Sequence, residues 1–127
     1  MRLTLDLLPS DYLVCQLPAD APAPDWAKGG DLLAIIRTAD ELSLVCEQPV
    51  SVPDDVRTEG GWRALKVQGP LDFALVGVLA ELSSCLARAG VSLFALSTFD
   101  TDYLLVKSVH LATACDALEQ AGHVIRP

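Results

Sequence analysis

The sequence predicts an α+β fold, and three features predict it. Apolar residues recur at steps of three and four in two segments, 71–86 and 109–120, the spacing that lines one face of a helix. Short apolar runs of strand length, such as residues 91–96 and 103–107, lie around them. Glycines, prolines and polar turns stop each run. From Trp62 onward the order is strand, helix, strand, strand, helix, strand. This is the split, ferredoxin-like β-α-β-β-α-β unit, whose helices cover one face of an antiparallel sheet.

In chain order, residues 3–8 form a short strand ended by Pro9-Ser10, and residues 12–17 a second, stopped by Pro18. Residues 19–30 are interrupted by Pro22, Pro24 and Gly29-Gly30, so a long helix is not expected there, and Trp26 covers an apolar face from one short turn. Residues 32–37 read as a buried strand, which Thr38-Ala39-Asp40-Glu41 turns back into Leu42-Ser43-Leu44-Val45-Cys46 as a hairpin. Residues 48–61 hold Pro49, Pro53, Asp54-Asp55 and Gly60-Gly61, the most polar stretch. They divide the chain into an N-terminal half, 1–60, and a C-terminal half, 61–127.

In the C-terminal half, residues 62–68 alternate as a strand with Leu65 and Val67 on one face, ended by Gly69-Pro70. Leu71, Leu75, Val78, Leu79, Leu82 and Leu86 then mark the clearest helix, with Asp72 as candidate N-cap and Gly90 as its stop. Residues 91–96, the polar turn 97–102 and residues 103–107 make a second hairpin. The second helix is capped by Ser108 and stopped by Gly122, with Leu111, Ala114, Cys115 and Leu118 inward, and His123-Val124-Ile125 is a last strand. His110 and His123 read as surface residues, Tyr12 and Tyr103 as packing residues.

The two hairpins form a weak internal repeat. Residues 34–40 align with residues 94–100, matching Thr38 to Thr98 and Asp40 to Asp100, and a one-residue insertion then sets Leu44-Val45 on Leu105-Val106. The first half reads as a reduced copy of the second, its first helix shrunk.

Composition narrows the functions. With 51% hydrophobic and 20% charged residues, the 127-residue chain can build a genuine core. Nine basic against 17 acidic residues leave a net charge of −8, a field that repels nucleic acid and anionic membrane surfaces. Asp6 follows the N-terminus too soon for a signal-type apolar core, so a cytoplasmic protein is expected. Cys15, Cys46, Cys85 and Cys115 are widely spaced inside apolar segments with no CxxC pair, which fits reduced core residues better than a disulfide framework or a metal site.

The run Gly69-Pro70-Leu71-Asp72-Phe73 before a leucine-rich helix, followed by residues 93–106 with their Ser97-Thr98-Phe99-Asp100-Thr101-Asp102 turn, resembles the small bacterial tandem ACT-domain proteins. These are similar in turn to the ACT pairs of aspartate kinases and of the eukaryotic cytosolic arginine sensor. The resemblance is strong from Trp62 to Val106, and residues 41–46 also match the family's first half. It implies two tandem ACT-like subdomains, the first reduced, that hold a free amino acid where two ACT units meet. It also implies a dimeric or otherwise side-by-side assembly, no catalytic residues and no cofactor. The ligand contacts it implies are Gly69, Pro70, Leu71, Asp72 and Phe73 on one side, and Ser97, Thr98, Thr101 and Asp102 on the other.

The chemistry of these residues is compatible with that implication. An amino acid needs acceptors for its ammonium, which Asp72, Asp100 or Asp102 supply, and donors for its carboxylate, which backbone N–H groups at a helix start supply. Each residue also has a plainer role: Asp72 as a helix cap, Gly69-Pro70 as a turn, and the hydroxyl and carboxylate residues as turn formers bonding their own backbone. Three functions therefore stand side by side. One is a non-enzymatic amino-acid sensor reporting to a separate effector protein. Another is an interaction module pairing through its edge strands without a ligand. The third is an enzyme using Asp100 and Asp102 as bases or metal ligands, for which no positioned nucleophile is visible.

Overall fold

Seven strands and two α-helices make up the regular structure of the described residues. The computed structural model describes residues 1–71 and 75–127. Among them, β1 spans Thr4–Leu17, β2 Ala34–Arg37, β3 Leu42–Gln48, β4 Arg57–Val67, β5 Phe94–Ser97, β6 Asp102–Lys107 and β7 Val124–Arg126. The helices are α1, Val78–Arg88, and α2, Leu111–Gln120, the latter entered through a 3-10 turn at Ser108–His110. No helix among the described residues is long and apolar enough to cross a membrane.

The chain divides into two units, Ser10–Trp62 on one side and Met1–Pro9 with Arg63–Pro127 on the other. The first nine residues, expected in the N-terminal half, thus belong with the C-terminal one. The reason is that β1 does not stop at Pro9. Pro9 falls between the two registers of this strand, Thr4–Asp6 with β7 and Asp11–Leu17 with β3. Its missing N–H therefore breaks neither ladder. Strand β4 likewise starts at Arg57, earlier than the Trp62 expected, and passes through Gly60-Gly61. A Cβ on Gly60 would lie 3.1 Å from the Gln48 amide and 3.2 Å from Leu13, and Gly61 has φ 76°. Gly60 thus avoids crowding Gln48 and Leu13, and Gly61 takes a left-handed conformation that a side chain would disfavour.

The regular structure of the unit Ser10–Trp62 consists of strands. Here β3 pairs antiparallel with β1, Leu17 opposite Leu42, and with β2, Arg37 opposite Leu42. Leu13, Cys15, Leu42, Leu44 and Cys46 form its core, with Trp26 packed against them from a turn. Burial pushes the Cys15 thiol up to about 12, helped by the neighbouring Cys46 thiol, and raises Cys46 as well. Both thiols thus keep their proton at neutral pH. Below the unfolded value of about 8.5 both states are protonated. Above it the unfolded chain loses protons first, so stability should fall as pH climbs toward 12, by on the order of 1 kcal/mol per pH unit per thiol. Urea unfolding at about pH 7.5 and 9.5 checks this. A Cys15→Ala variant with the same slope would refute the assignment.

The second unit holds β7, the start of β1, the end of β4, β6 and β5 in that order. Both helices drive apolar side chains into the core that these strands share: Val78, Leu82, Cys85 and Leu86 from α1, Ala114 and Leu118 from α2, against Leu5, Leu65, Val67, Leu104 and Val106. The Cys85 thiol donates to the Ala117 carbonyl at 3.2 Å, tying α1 to α2. Each helix ends in a left-handed glycine, Gly90 at φ 75° and Gly122 at φ 97°. The following N–H, of Val91 or His123, reaches back to Leu86 or Leu118. The β-α-β-β-α-β order holds, with one addition: the last strand pairs in parallel with β1, Thr4 opposite Val124. Ser108, expected as the cap of the second helix, opens the 3-10 turn instead, and the N-cap of α2 is His110.

His123, expected at the surface, is buried. Its Nδ1 accepts the Leu3 N–H at 3.1 Å, and Nε2 lies 3.9 Å from the Glu81 carboxylate. An accepting Nδ1 fixes the proton of the neutral ring on Nε2. Tyr12 and Tyr103 are buried packing residues as expected.

Candidate functional site

The site is assembled from the β4–α1 connection and the β5–β6 hairpin. Ser97 stands opposite Asp102 as the last pair of the hairpin, and the Ser97 hydroxyl donates to Asp102 Oδ1 at 2.6 Å. Between them the Thr98 N–H donates to the Thr101 carbonyl at 2.8 Å, and Thr98 Oγ1 accepts the Thr101 N–H at 3.3 Å. A threonine that bonds its own turn in this way fixes a tight reversal.

The first hairpin repeats the device. The Thr38 N–H donates to the Glu41 carbonyl at 2.9 Å, and Thr38 Oγ1 accepts from the Asp40 and Glu41 N–H groups. Ala34 opposes Val45 as Phe94 opposes Leu105, so the sixty-residue offset holds through both hairpins. The one-residue insertion expected after the turn is therefore unnecessary: Leu44 matches Leu104.

Two hydrogen bonds bring the walls together. Thr101, only 5% exposed, donates from Oγ1 to the Val67 carbonyl at 2.5 Å, and the Leu71 N–H donates to the Asp100 carbonyl at 2.6 Å. Gly69 permits this approach, since a Cβ there would stand 3.0 Å from the Asp100 carbonyl oxygen and 3.2 Å from Thr101 Cβ. The result is a hollow of about 190 Å³ with an apolar side, Leu71, Leu75 and Val78, and a hairpin side running from Ser97 to Asp102. It falls below the ~300–1,000 Å³ of sites for drug-sized ligands, so it suits a small one.

Of the residues expected to bind, Leu71, Ser97, Thr98, Thr101 and Asp102 line this hollow, joined by Asp100. Gly69 and Pro70 shape the approach without lining it. Asp72 and Phe73 lie outside the described residues.

The helix expected from Leu71 begins only at Val78. Its N-cap is Gly77, in the left-handed conformation at φ 89° and without a side-chain cap bond. The first intrahelical bond runs from the Glu81 N–H to the Gly77 carbonyl at 2.9 Å, which leaves the N–H groups of Val78 to Ala80 ahead of the ladder. Leu75, Val78 and Phe99 are lining residues that sequence reasoning missed. Gly77, set inside the apolar stripe, was the available signal. Among the described residues no group of three or more His, Cys, Asp or Glu is placed to hold a metal ion.

An antiparallel-based sheet carrying two helices, with a ligand-sized hollow beside the first helix start, defines an ACT-type fold, and comparisons with known proteins agree. The chain belongs to the ACT-domain family: an ACT-domain model matches residues 57–120, and a model of an N-terminal domain matches residues 10–55. It is similar to a crystallographically solved protein of Agrobacterium tumefaciens, with 40% identity, TM-score 0.88, and coverage of 98% of this chain and 92% of that one. A Vibrio cholerae protein of unknown function, described as a possible transport protein, shares the fold at 19% identity, with TM-score 0.70 and coverage of 94% and 90%. So does the aspartate kinase of Clostridium acetobutylicum, at 11% identity and TM-score 0.61, covering 88% of this chain and 33% of the kinase. No curated protein matches the sequence.

Proposed function

We propose that the chain is a non-enzymatic, cytoplasmic regulatory module that binds a free amino acid in the hollow between the β4–α1 connection and the β5–β6 turn. The observation that carries this reading is that hairpin carboxylates and an aliphatic wall share one small concavity at the start of α1, whose first residue, Val78, lines it. The Asp100 carboxylate takes the ammonium. Asp102, oriented by the Ser97 hydroxyl, supports it. The ligand's carboxylate meets the N–H groups that open α1. Its side chain lies along Leu71 and Leu75. The kinase of Clostridium acetobutylicum is described as an allosteric enzyme, which supports a regulatory role for a related fold. The proposed recipient of the signal is an effector protein.

A thermal-shift screen of the twenty amino acids tests this. A true ligand at about 100 times its Kd stabilises the folded state by ~2.7 kcal/mol. Asp102→Ala should abolish the shift while leaving the unliganded melting temperature nearly unchanged, because its carboxylate is part-exposed. Indifference to every amino acid at millimolar concentration would sink the proposal.

A second reading, an interaction module without a ligand, draws on one observation. Phe99, 79% exposed, stands at the mouth of the hollow, where a protein surface could cover it. A stable complex with a partner protein that forms identically with and without every amino acid would favour it.

A further inference from the structure

We propose that a second hollow, between the Asp25-Trp26 turn and the end of β3, is a binding site for an uncharged purine nucleoside. All of its lining residues belong to the unit Ser10–Trp62, and its volume is about 620 Å³, against about 190 Å³ for the hollow at the start of α1. The larger volume falls inside the ~300–1,000 Å³ of sites that enclose a drug-sized molecule. The lining includes Asp25, Trp26 and Lys28 from the segment before β2, and Glu47, Pro49 and Val50 from the end of β3 and the residues after it.

Its walls are held from behind. The Ala27 N–H donates to the Pro24 carbonyl at 3.4 Å, closing the turn that carries Trp26, and the partly buried indole packs against the core around Leu42, Leu44 and Cys46. Val50 packs on the same core. The Glu47 N–H donates to the Lys28 carbonyl at 2.7 Å, and Glu47 Oε1 accepts the N–H groups of Gly30, at 2.9 Å, and Asp31, at 3.4 Å. These bonds clasp residues 28–31 to the end of β3. A surface fixed in this way loses little freedom when a ligand arrives, so more of the contact energy appears as affinity.

The groups left over define the ligand. The part of the Trp26 indole that the core does not cover lines the hollow beside Pro49 and Val50, an apolar surface on which a flat ring stacks. Glu47 Oε2 is spare, since the loop bonds go to Oε1, and the Asp25 and Lys28 side chains are exposed. Acceptors and a donor of opposite charge therefore share one hollow. An anion meets two carboxylates within the field of a chain of net charge −8, and a cation meets the Lys28 ammonium. An uncharged ring with donors and acceptors on its edge suits both signs. A purine nucleoside has that edge: an exocyclic amine and ribose hydroxyls donate to Glu47 and Asp25, and a ring nitrogen accepts from Lys28. The charge that repels a nucleic-acid backbone does not oppose a nucleoside, which carries no phosphate.

Calorimetry on the full chain with adenosine as the probe is expected to show saturable binding at one site per chain. Trp62→Phe leaves Trp26 as the remaining tryptophan, and adenosine should quench its fluorescence. Trp26→Leu should weaken binding about tenfold or more through loss of stacking. Because Trp26 also packs on the core, Glu47→Gln provides a second variant. Glutamine keeps an oxygen for the Gly30 N–H and turns the spare acceptor into a donor, so affinity should fall about tenfold while the melting temperature stays the same. Adenosine 5′-monophosphate should bind more weakly than adenosine, and added salt should narrow the gap. No saturable binding of adenosine at millimolar concentration, an unquenched Trp26, equal affinity in Glu47→Gln, or tighter binding of the monophosphate or of phenylalanine would each overturn the proposal. Nothing here requires a ligand in the hollow at the start of α1, so this test and the amino-acid screen fail independently.

Discussion

Leu82→Ala is expected to cost ~2–5 kcal/mol, the range for a leucine removed from a core that cannot collapse around the gap. Leu82 is fully buried in the middle of α1, in one cluster with Leu65 and Val67 of β4, Leu104 and Val106 of β6, and Ala114 and Leu118 of α2. Every element of the β-α-β-β-α-β unit that meets this cluster is held in part by the side chain that would vanish, and none can shift alone to fill the space. Leu79, three residues earlier in the same apolar stripe, is 38% exposed, and Leu79→Ala should cost under about 1 kcal/mol. Urea unfolding of the two variants measures the difference. Equal losses would mean that the helix is rotated from the orientation described here. A loss of this size removes much of the typical ~5–15 kcal/mol of stability of a folded domain, so the experiment is best run at low temperature.

That contrast also marks how far the sequence could be read. The stripe from Leu71 to Leu86 identified a helix and, through Val78, Leu82 and Leu86, the face it buries. Periodicity alone could not find where the helix begins, because Leu71 and Leu75 continue the spacing across Gly77, and only the left-handed Gly77 interrupts it. The hairpin turns were legible for a local reason: Thr98 and Thr38 each bond residues two or three positions on, and such chemistry is written in adjacent letters. What escaped was long-range. Leu3 meets His123 across 120 residues, and nothing near either position indicates that the last strand will pair with the first. The same limit hid the burial of His123, whose acceptor nitrogen is needed only because the Leu3 N–H arrives there.

For the site, the sequence named both walls but not what holds them together. Residue types announced hydroxyls and carboxylates. They did not announce that Thr101 would turn its hydroxyl inward to β4, or that Gly69 would be needed for contact with Asp100 and Thr101. The apolar lining was hidden for a different reason. Leu75 and Val78 fit a helix stripe so well that their position at a helix start, one on either side of the cap, was invisible to pattern.

Thr101→Val is the variant that separates holding the site from touching the ligand, and it is expected to destabilise the protein by ~1–3 kcal/mol. Valine keeps the shape of threonine and removes only the donor, which leaves the Val67 carbonyl without the 2.5 Å bond from Oγ1. At 5% exposure the position admits little water to replace it. The extra methyl recovers part of the loss by apolar burial, which places the effect toward the lower half of the range. Thr101→Ser keeps the donor and should cost less, giving the order wild type, serine, valine in urea unfolding. If Thr101 acts by positioning, Thr101→Val lowers the unliganded stability and weakens an amino-acid-induced shift by displacing the Asp100 and Asp102 carboxylates, whereas Thr101→Ser retains the shift. If its hydroxyl binds the ligand directly, Thr101→Val removes the shift while leaving unliganded stability untouched. The second pattern would contradict the inward hydroxyl on which this account of the site rests.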